Sequence, residues 1–401
     1  MHKGRDAAVS FAKDEGSIDC ARCAFRIGRY DVHISETDRA LCPSCFTPLS
    51  DSFDFAPFSH RRRPTVVDAK WALVALHAFH VCGSSRRCLQ RAHELRSQGF
   101  LVAALAVRGG GLWSDKFAAA FDELIFLRST RTGVPDWLVE RLTTFSHAEA
   151  HYQPAIGWCL DHLPSCSSLS ASFHTEPLGY YDDGPLLLRL LDRNGAVHFP
   201  TEALREQYRR LLPPSRVSLF DERSALSPHG ASELDVAPTA LFRELLQFGV
   251  PGKRIGVVTR LDPDKLSPSL LVSTIDLVLE AEPEACIIIA GPGEDSDNIR
   301  ALFRPRRYSG HVHFTGYVDS VQDIYLWADI MFLPSWTEVR PFTVLEAARF
   351  GKVTVAPELR AMRDAFSDRY LLSFETGCSR QAARLLLAAM QSTRHPASAR
   401  Q

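Results

Sequence analysis

The sequence predicts two doubly wound α/β domains that face each other across a cleft, preceded by a small zinc-binding module. Strand-like apolar runs alternate with helical patterns in the first half of the chain, and the same alternation returns in the second half. From the chain length of 401 residues we expect two to three domains of about 150 residues each. Two close pairs of cysteines lie near its start. We therefore expect a zinc ribbon and linker in residues 1–60, an N-terminal α/β domain in 61–225 and a C-terminal α/β domain in 226–401.

The composition is that of an ordinary globular protein, with 45% apolar and 23% charged residues. The formal net charge of −1 offers no overall field for nucleic acid or an anionic membrane. No apolar run approaches the ~20 residues of a membrane-spanning helix, and residues 1–5 lack the apolar core of a signal peptide. We therefore expect a cytoplasmic protein with no transmembrane segment. Its basic clusters are interpreted as solvated surface: residues 61–63, Arg86 with Arg87, and Arg304, Arg306 and Arg307.

Two pairs of cysteines, Cys20 with Cys23 and Cys42 with Cys45, are separated by 18 residues. Each Cys-x-x-Cys pair places two thiolates on one ion, and four thiolates complete the tetrahedral shell of a structural Zn²⁺. The alternative is four unrelated thiols in a reducing cytoplasm. A closed four-sulfur shell leaves no open position, so the spacing predicts structural rather than catalytic zinc. The module resembles a zinc ribbon, and such modules bind nucleic acid or protein or serve only as braces.

The first α/β block opens with a strand, a Gly-bearing loop, a helix and a second strand, at residues 72–78, 80–85, 86–98 and 100–107. This order is that of a βαβ unit. Gly83 in the loop either approaches a phosphate or only permits the tight turn. The remaining predicted elements are strands at 124–127, 169–173 and 196–199 and helices at 135–145, 154–163 and 200–210. The polar segment 220–237 contains Pro and Gly, which is typical of an interdomain connection.

One polar side chain in this block is a candidate for binding a substrate. His174 follows the strand at 169–173, at the carboxyl end where ligands of open α/β sheets bind. Its imidazole can hydrogen-bond a substrate hydroxyl, and it can equally be a structural histidine with internal partners.

The second α/β block begins with a strand at residues 255–258, followed by a helix with a clear start. Ser267 is placed to cap this helix, and Pro268 takes its first position. Further strands are predicted at 286–290, 312–314, 330–333, 353–355 and 370–372, and further helices at 321–327 and 380–390.

The stretch from Glu338 to Glu346 carries two carboxylates at the carboxyl end of the strand at 330–333. The residues that begin its helix, Phe342 and Thr343, offer N–H groups and a positive dipole end to an anion. Carboxylates accept hydrogen bonds from hydroxyls, so the pattern suits a ligand with both a phosphate and sugar hydroxyls. Glu346 has a competing role, because Thr343-x-x-Glu346 matches a helix capping box.

Two cations belong to the same edge of the second sheet. Arg260 and Lys265 lie on the loop after the strand at 255–258. An arginine fork and a lysine point charge together suit a diphosphate. Because both acids of the 338–346 stretch are predicted at this edge too, we expect the cations and carboxylates to form one binding site.

Several motifs follow one another in residues 255–356: Arg260-Leu261-x-x-x-Lys265, Gly291-x-Gly293, Phe314-x-Gly316-Tyr317, Pro334-Ser335-x-x-Glu338 and Glu338-x7-Glu346-Ala347. Together they resemble the donor-binding domain of family 4 glycosyltransferases, which have two Rossmann-like domains in the GT-B fold. The resemblance is weaker over residues 70–250, where it includes the Gly83 loop and the His174 segment.

The resemblance implies retaining transfer of a sugar from a nucleotide-diphosphate sugar, most often a UDP- or GDP-sugar, without a catalytic metal. It implies that Arg260 and Lys265 hold the diphosphate, that Glu346 binds the ribose hydroxyls and that Glu338 lies beside the donor sugar. The other implied positions are Tyr317 and Val318 at the base, His174 at the sugar's 6-position, Gly293 and the helix start at Phe342 and Thr343, and the Gly83 loop closing from the other domain.

The sequence departs from the family pattern near this helix and in the first domain. Pro341 stands where the family usually has glycine, and it removes a backbone N–H that would otherwise point at the ligand. Arg340 stands where the family has glycine or an apolar residue, and it is a candidate for reading an acidic or otherwise unusual sugar. The family's double-glycine loop is reduced to Cys82-Gly83.

The acceptor and the activity itself have alternatives. The acceptor is either a macromolecule held by the ribbon and residues 61–63, such as a modified base in nucleic acid or a peptide, or a small molecule, lipid or polysaccharide, with the ribbon as a structural cap. A non-catalytic binding protein of the same fold is disfavoured by the four charged site residues that the chain retains. A sugar epimerase or phosphorylase fits the glutamate spacing less well.

Overall fold

A computed structural model describes residues 70–393 except for 108–112, 128–133, 135, 166, 178–182, 227–236, 264, 294 and 360–368, together with the backbone of five short strands between residues 17 and 61. Four of these strands pair in two antiparallel ladders: β1 (Ser17–Asp19) with β2 (Arg26–Gly28), and β3 (His33–Ile34) with β4 (Ala40–Leu41). The metal-ligand candidates Cys20, Cys23, Cys42 and Cys45 lie outside the described residues.

The first α/β domain is a sheet with helices on both faces. In the described part of the chain its strands are β5 (Phe58–Arg61), β6 (Trp71–Leu76), β7 (Leu101–Ala106), β8 (Glu123–Phe126), β9 (Phe145–His151), β10 (Ser168–Ser172), β11 (Ala196–Phe199) and β12 (Ser224–Leu226). The helices are α1 (Gly83–Ser97), α2 (Ser114–Ala120), α3 (Asp136–Leu142), α4 (Gln153–His162), α5 (Asp183–Asp192), α6 (Glu202–Arg209) and α7 (Pro214–Arg223).

The strand order of this sheet is β12-β11-β10-β9-β6-β7-β8-β5. The neighbours from β12 to β8 are parallel, and β5 pairs antiparallel with β8 at the edge. The chain builds outwards from β6 through β7 to β8, then returns to β9 and builds the other half. This reversal leaves a crevice at the carboxyl ends of β6 and β9, where ligands of doubly wound sheets bind.

The second domain has a parallel sheet of the same kind. Its described strands are β13 (Arg254–Val258), β14 (Cys286–Ala290), β15 (Val312–Gly316), β16 (Ile330–Phe332), β17 (Thr354–Pro357) and β18 (Leu371–Phe374). Its helices are α8 (Ala240–Leu245), α9 (Pro268–Ala281), α10 (Ser296–Leu302), α11 (Gln322–Trp327), α12 (Phe342–Arg349) and α13 (Ser379–Thr393), with a 3₁₀ turn at Arg306–Tyr308. The strand order β15-β14-β13-β16-β17-β18 reverses between β13 and β16, so the second crevice lies there.

The predicted start of α9 is confirmed. The hydroxyl of Ser267 accepts a hydrogen bond from the N–H of Leu270 at 3.2 Å, and Pro268 is the first helical residue. This cap satisfies an N–H that the helix itself leaves without a partner.

Alternate residues of the central strands enter opposite cores. In β6, Leu73 belongs to one core and Ala72 to the other, and in β14 Ile287 and Ile288 divide in the same way. Because side chains of a strand alternate between faces, a strand covered on both faces reads as an unbroken apolar run. This pattern made these strands predictable.

The sequence prediction is wrong at several elements of the first domain. The helix predicted at 135–145 ends at Leu142, and the central strand β9 follows it at once. β9 is a central strand that carries polar residues, so it does not show the apolar run by which the other central strands were predicted. The connection predicted at 220–237 is wrong for residues 220–226, which belong to α7 and β12, and β5 lies in the segment expected to be a linker. Sequence patterns also did not indicate α5.

Candidate active site

The two crevices face each other, and residues of both domains line the cavity of about 300 Å³ between them. The first domain contributes the loop after β6, the start of α1 and the residues after β9 and β10. The second domain contributes the segments after β13, β14, β15 and β16 and the start of α12. The sequence-predicted residues that line the cavity are Gly83, His174, Arg260, Lys265, Tyr317, Val318, Glu338, Phe342, Thr343 and Glu346.

Lys265 and Glu338 form an ion pair inside this cleft. The Nζ atom of Lys265 lies 2.5 Å from Oε1 of Glu338, and the hydroxyl of Ser335 donates to the same oxygen at 3.1 Å. The two segments are joined through the backbone, since the N–H of Trp336 donates to the carbonyl of Lys265 at 2.9 Å. Glu338 is buried. The ammonium is therefore held in place at the reversal point between β13 and β16.

Arg260 lies at the end of β13, and its loop depends on two glycines. Its Nη1 pairs with Oδ2 of Asp262 at 2.5 Å. Gly291 has a φ of +143°, and a Cβ there would lie 1.8 Å from the carbonyl oxygen of the residue before Arg260. A Cβ on Gly293 would lie 2.2 Å from the carbonyl carbon of the residue after Arg260. Such close backbone approach requires glycine. Gly293 thus lies behind the cleft wall, whereas Gly291 lines it.

Glu346 is enclosed and has partners from both domains. The hydroxyl of Tyr325 donates to its Oε2 at 2.7 Å, and its Oε1 pairs with the guanidinium of Arg86 from the first domain. The capping-box alternative for Glu346 is wrong, because Pro341 is the N-cap of α12 and Thr343 already lies in its first turn. The carboxylate therefore faces the cleft instead of bracing its own helix.

The interpretation of Arg86 and Arg87 as solvated surface is also wrong. Arg87 is buried and pairs with Glu94 at 2.6 Å. The guanidinium carbon of Arg86 lies 5.7 Å from the ring centre of Trp113 and 5.9 Å from that of Phe342. Burial lowers the pKa of the Arg86 guanidinium. Arg86 is thus a cleft residue that sequence reasoning missed, although its place three residues after Gly83 could have indicated it.

The N-termini of α1 and α12 meet across the cleft. The residues at the two N-cap positions, Cys82 for α1 and Pro341 for α12, make no capping hydrogen bond with their side chains. Helix geometry leaves the first N–H groups without partners inside the helix, and it places the positive dipole end there. The approach is closest at Gly83, where an added Cβ would lie 2.4 Å from Cδ2 of Phe342. Two helix starts thus face one point between the domains.

His174 lies at the cleft wall beside two aromatic neighbours. Its Nε2 lies 3.0 Å from Nδ1 of His151, and the two rings stack with centroids 5.3 Å apart. The ring of Tyr152 lies 5.2 Å away. Tyr152 has a φ of +70°, a conformation that a tyrosine adopts only where its surroundings enforce it. His174 therefore has an internal partner and also lines the cleft, and its binding of a substrate hydroxyl stays a prediction.

Tyr317 and Val318 line the cleft after β15. The hydroxyl of Tyr317 accepts a hydrogen bond from Nε1 of Trp113 at 2.9 Å and donates to Oδ1 of Asp319 at 2.8 Å. Lys116 lies 3.4 Å from the same carboxylate. The side chain of Tyr317 thus ties the second domain to the first, in addition to placing its backbone at the cleft.

A partly buried polar network lies between β9 and α1. Glu149 accepts hydrogen bonds from Nε of Arg91 at 2.6 Å and from His147 at 3.0 Å. Burial favours the neutral acid, but the His147 hydrogen bond and the Arg91 charge outweigh burial and lower the pKa of Glu149 to about 2. Burial lowers the pKa of His151 to about 4. His151 is therefore neutral at pH 7.

This network should make the folded protein less stable as the pH falls. Unfolded, His151 binds a proton near its ordinary pKa of about 6.5; folded, it does so near 4. Between these values the unfolded state binds more protons, so the free energy of unfolding should fall by about 2 kcal/mol from pH 7 to pH 5. Glu149 contributes below this window, since its stabilisation is present above about pH 4.5 and is lost towards pH 2.

Urea unfolding of the wild type and of His151→Gln at pH 7 and pH 5 measures this contribution. The variant should lose about 2 kcal/mol less than the wild type over the interval. His162 and His198, whose pKa values burial also lowers, are common to both proteins. An identical loss in the two proteins would contradict the assignment to His151.

Two general features complete the description. Within the described part of the chain, no three His, Cys, Asp or Glu side chains converge as a metal site requires. Among the helices that the structure describes, none has the length and apolarity needed to cross a bilayer.

Sequence comparison identifies the second domain. Residues 252–391 match the family model described as Glycosyl transferases group 1. This segment is therefore similar to a glycosyl transferases group 1 domain. The O-antigen biosynthesis glycosyltransferase WclY of Escherichia coli is 27% identical over 104 residues, which are 25% of this chain and 29% of that relative. The alignment thus spans less than a third of that curated relative.

Comparison with solved structures covers both domains of this chain. Alr3699/HepE of Anabaena, crystallised with UDP, superposes with a TM-score of 0.62 at 14% identity, over 81% of this chain and 91% of that one. Sucrose-phosphate synthase of Thermosynechococcus elongatus superposes with a TM-score of 0.60 at 17% identity, over the same shares. At such identities the likeness establishes the fold, which is the pair of parallel-sheet α/β domains of the GT-B type.

Proposed function

We propose that the protein is a glycosyltransferase that moves a sugar from a nucleotide-diphosphate sugar to an acceptor hydroxyl. The observation that carries the proposal is the meeting, in one cleft, of two uncapped helix N-termini with Arg260 and Lys265. Such a site binds a diphosphate through backbone N–H groups and fixed cations. The family match of the same domain supports a sugar as the other part of the donor.

The cations would act on the departing group. Loss of the nucleoside diphosphate develops negative charge on its terminal oxygen. Preorganised cations and helix N-termini stabilise this charge more in the transition state than in the ground state, and that difference accelerates transfer. Lys265 is held by Glu338 and Arg260 by Asp262, so neither cation must reorganise far. We propose that this arrangement acts without a catalytic metal and with retention of configuration, as in family 4.

The other roles follow from position in the cleft and are part of the proposal. Glu346 would accept the ribose hydroxyls, which requires Arg86 to share or release its carboxylate. Glu338 would lie beside the donor sugar and His174 at its 6-position. The further donor-site residues would be Tyr317 and Val318 at the base, Phe342 and Thr343 at the phosphates, Gly293 as support for the Arg260 loop, and Gly83 as the point of domain closure.

A thermal-shift screen across UDP-, GDP-, ADP-, CMP- and dTDP-sugars tests the proposal. A structure of Alr3699/HepE contains UDP-glucose, so UDP-sugars are the first candidates and GDP-sugars the second. A ligand that binds only the native state at 100 times its Kd adds about 2.7 kcal/mol of stability. We expect one nucleotide series to raise the melting temperature. If none of the five nucleotide series raises the melting temperature, the proposal is overturned.

Retention and metal independence have tests of their own. Proton NMR of the first product should show the anomeric configuration of the donor, and the opposite anomer would contradict retention. Turnover should persist when EDTA is added immediately before the assay. A loss that Mg²⁺ or Mn²⁺ restores would contradict metal independence.

Replacing Gly83 by alanine should hinder closure of the cleft. The added methyl group would overlap the ring of Phe342, and such overlap costs about 1–3 kcal/mol. We expect Gly83→Ala to weaken donor binding about tenfold. Phe342→Ala in that background should recover part of the loss, because it removes the overlapping ring. Calorimetric titration of the two single variants and the double variant measures their coupling, and strictly additive losses would show that the contact has no role.

For the acceptor we propose a saccharide hydroxyl. WclY is named for O-antigen biosynthesis, which supports a carbohydrate acceptor in this group. A nucleic-acid acceptor bound through residues 61–63 would lose affinity steeply with added salt, because bound phosphates release counterions. We expect transfer to a saccharide acceptor to change little between 50 and 200 mM salt, and a steep salt dependence would favour nucleic acid.

For the N-terminal segment we propose a structural zinc ion held by Cys20, Cys23, Cys42 and Cys45. The strands of the first antiparallel ladder flank Cys20 and Cys23 in sequence, and the second ladder ends directly before Cys42, which supports a ribbon-like module. Elemental analysis of purified protein should find one zinc per chain, and Cys42→Ser with Cys45→Ser should lower this value. Absence of zinc would end the proposal.

A further inference from the structure

Among the described residues four cations line the cleft, and three of them have a carboxylate partner. These pairs are Lys265 with Glu338, Arg260 with Asp262, and Arg86 with Glu346. The fourth cation is Arg340. Within the described residues its guanidinium forms no ion pair, and it makes one long hydrogen bond, from Nη1 to the carbonyl of Pro200 at 3.4 Å. Its Nε is enclosed and has no hydrogen-bond partner among these residues.

This arrangement lowers the stability of the ligand-free protein. An enclosed donor that lacks an acceptor is unfavourable by the desolvation of that donor. Burial also lowers the pKa of Arg340, since no opposite charge in the described structure compensates for it. A ligand with a negatively charged hydrogen-bond acceptor atom would supply both the missing hydrogen bond and the missing opposite charge. Arg340 is thus a site of unmet charge inside the cleft.

The position of Arg340 indicates which part of a ligand would reach it. It lies two residues after Glu338, which is held against Lys265, and two residues before Phe342, which begins α12. Its guanidinium reaches the carbonyl of Pro200 on the first domain, so it spans the cleft beside the start of α12. Because the proposed function puts the donor sugar beside Glu338, the sugar is the part of the ligand that would reach Arg340. A planar guanidinium offers paired N–H donors that match a carboxylate.

We infer that Arg340 binds the carboxylate of a hexuronic acid carried by the donor, so that the substrate is a nucleotide-diphosphate uronic acid. This inference rests on the proposed function and names the class of sugar at the same site. It makes Arg340 a specificity-determining residue, which discriminates by charge against the neutral hexose of the same size.

The charge pattern places the carboxylate on the donor instead of the acceptor. The mouth that adjoins the cleft is lined by Glu176, Glu338 and Glu358. Lys265 holds Glu338 in place at this mouth. We assign the carboxylate to the donor, because an anionic acceptor that entered here would approach several acidic side chains, whereas the proposed donor sugar lies beside Glu338 and Arg340.

Calorimetric titration of the intact protein with two matched series tests the inference. The series are UDP, UDP-glucose and UDP-glucuronate, and GDP, GDP-mannose and GDP-mannuronate. In the series whose base is accepted, the wild type should bind the uronic form about tenfold or more tightly than the neutral form. Arg340→Gln should remove this preference while the affinity for the bare diphosphate changes less than about threefold. The exposed Arg304→Gln is the matched control and should keep the preference.

Each other outcome has a distinct meaning. Equal affinity of the wild type for neutral and uronic forms would overturn the inference and leave the proposed function standing. If Arg340→Gln weakens the binding of the nucleoside diphosphate and of both nucleotide sugars equally, the inference is also overturned, because Arg340 then binds phosphate. If Arg340→Gln raises the KM for an acidic acceptor and leaves donor binding unchanged, Arg340 binds a carboxylate of the acceptor. This result would overturn the donor assignment. If none of the five nucleotide-sugar series of the thermal-shift screen binds, the proposed function fails and the inference fails with it. Thermal unfolding confirms that each variant is folded.

Discussion

Replacing Lys265 by alanine should lower kcat by about 10²–10³-fold, and replacing Arg260 should have a similar but smaller effect. Removing one preorganised group that stabilises developing charge has a cost of this order. Lys265→Ala has a further consequence, because Glu338 is buried against its ammonium. Without that partner, a buried carboxylate remains beside the departing diphosphate and repels it. Arg260→Ala leaves behind only Asp262, at a more exposed position.

Release of nucleoside diphosphate in the presence of acceptor measures this effect, and donor hydrolysis without acceptor provides a second readout. Lys70→Ala and Arg304→Ala are matched controls, since both side chains are exposed and neither lines the cleft. The controls should retain wild-type turnover. Unchanged turnover in both Lys265→Ala and Arg260→Ala would exclude these cations from the chemistry.

Glu346→Gln should weaken donor binding by about 10–100-fold and also destabilise the protein. A carboxylate that accepts ribose hydroxyls contributes about 1.5–3 kcal/mol through charge-assisted hydrogen bonds, and an amide contributes less. The same substitution leaves the guanidinium of Arg86 without its opposite charge. We expect a loss of roughly 1–3 kcal/mol in the free energy of unfolding, because water still reaches part of Arg86.

Two further variants separate the roles of Glu346. Tyr325→Phe removes only the hydroxyl that positions the carboxylate and should cost about 1 kcal/mol of stability with little change in affinity. Arg86→Met combined with Glu346→Gln removes both charges, so it should recover stability without recovering donor affinity. If Glu346→Gln loses stability and retains wild-type affinity, Glu346 is structural and does not bind the ribose.

The alternation of apolar runs and helical patterns predicts the six strands of the second domain, although it did not indicate the helices α8 and α10. Its central strands β13, β14, β16 and β17 are short and largely buried, and Ser267 with Pro268 marks a helix start by local chemistry alone. The first domain is less predictable because β9 is a central strand with polar side chains. Glu149 and His147 are tolerated there because Arg91 on α1, distant in sequence, pairs with the carboxylate. Such a partner cannot be read from a local window.

The same limit applies to the site. Arg260, Lys265, Glu338 and Glu346 follow strand ends, so they could be predicted to share one edge of a sheet. Arg86 could not be assigned in this way, since its contact with Glu346 exists only when the two domains meet. The capping box at Glu346 was a plausible local pattern, but the helix begins two residues earlier than that motif requires. Contacts between domains are therefore the part of this site that sequence patterns leave open.

The central claim is that this cleft binds a diphosphate through Arg260, Lys265 and two helix N-termini. Calorimetric titration with a nucleoside diphosphate and the corresponding monophosphate, using UDP with UMP and GDP with GMP, tests it most directly. For the accepted base, the wild type should bind the diphosphate about 100-fold more tightly, and the Arg260→Ala/Lys265→Ala double variant should lose most of that preference. Equal affinity of the wild type for diphosphate and monophosphate in both pairs would contradict the account.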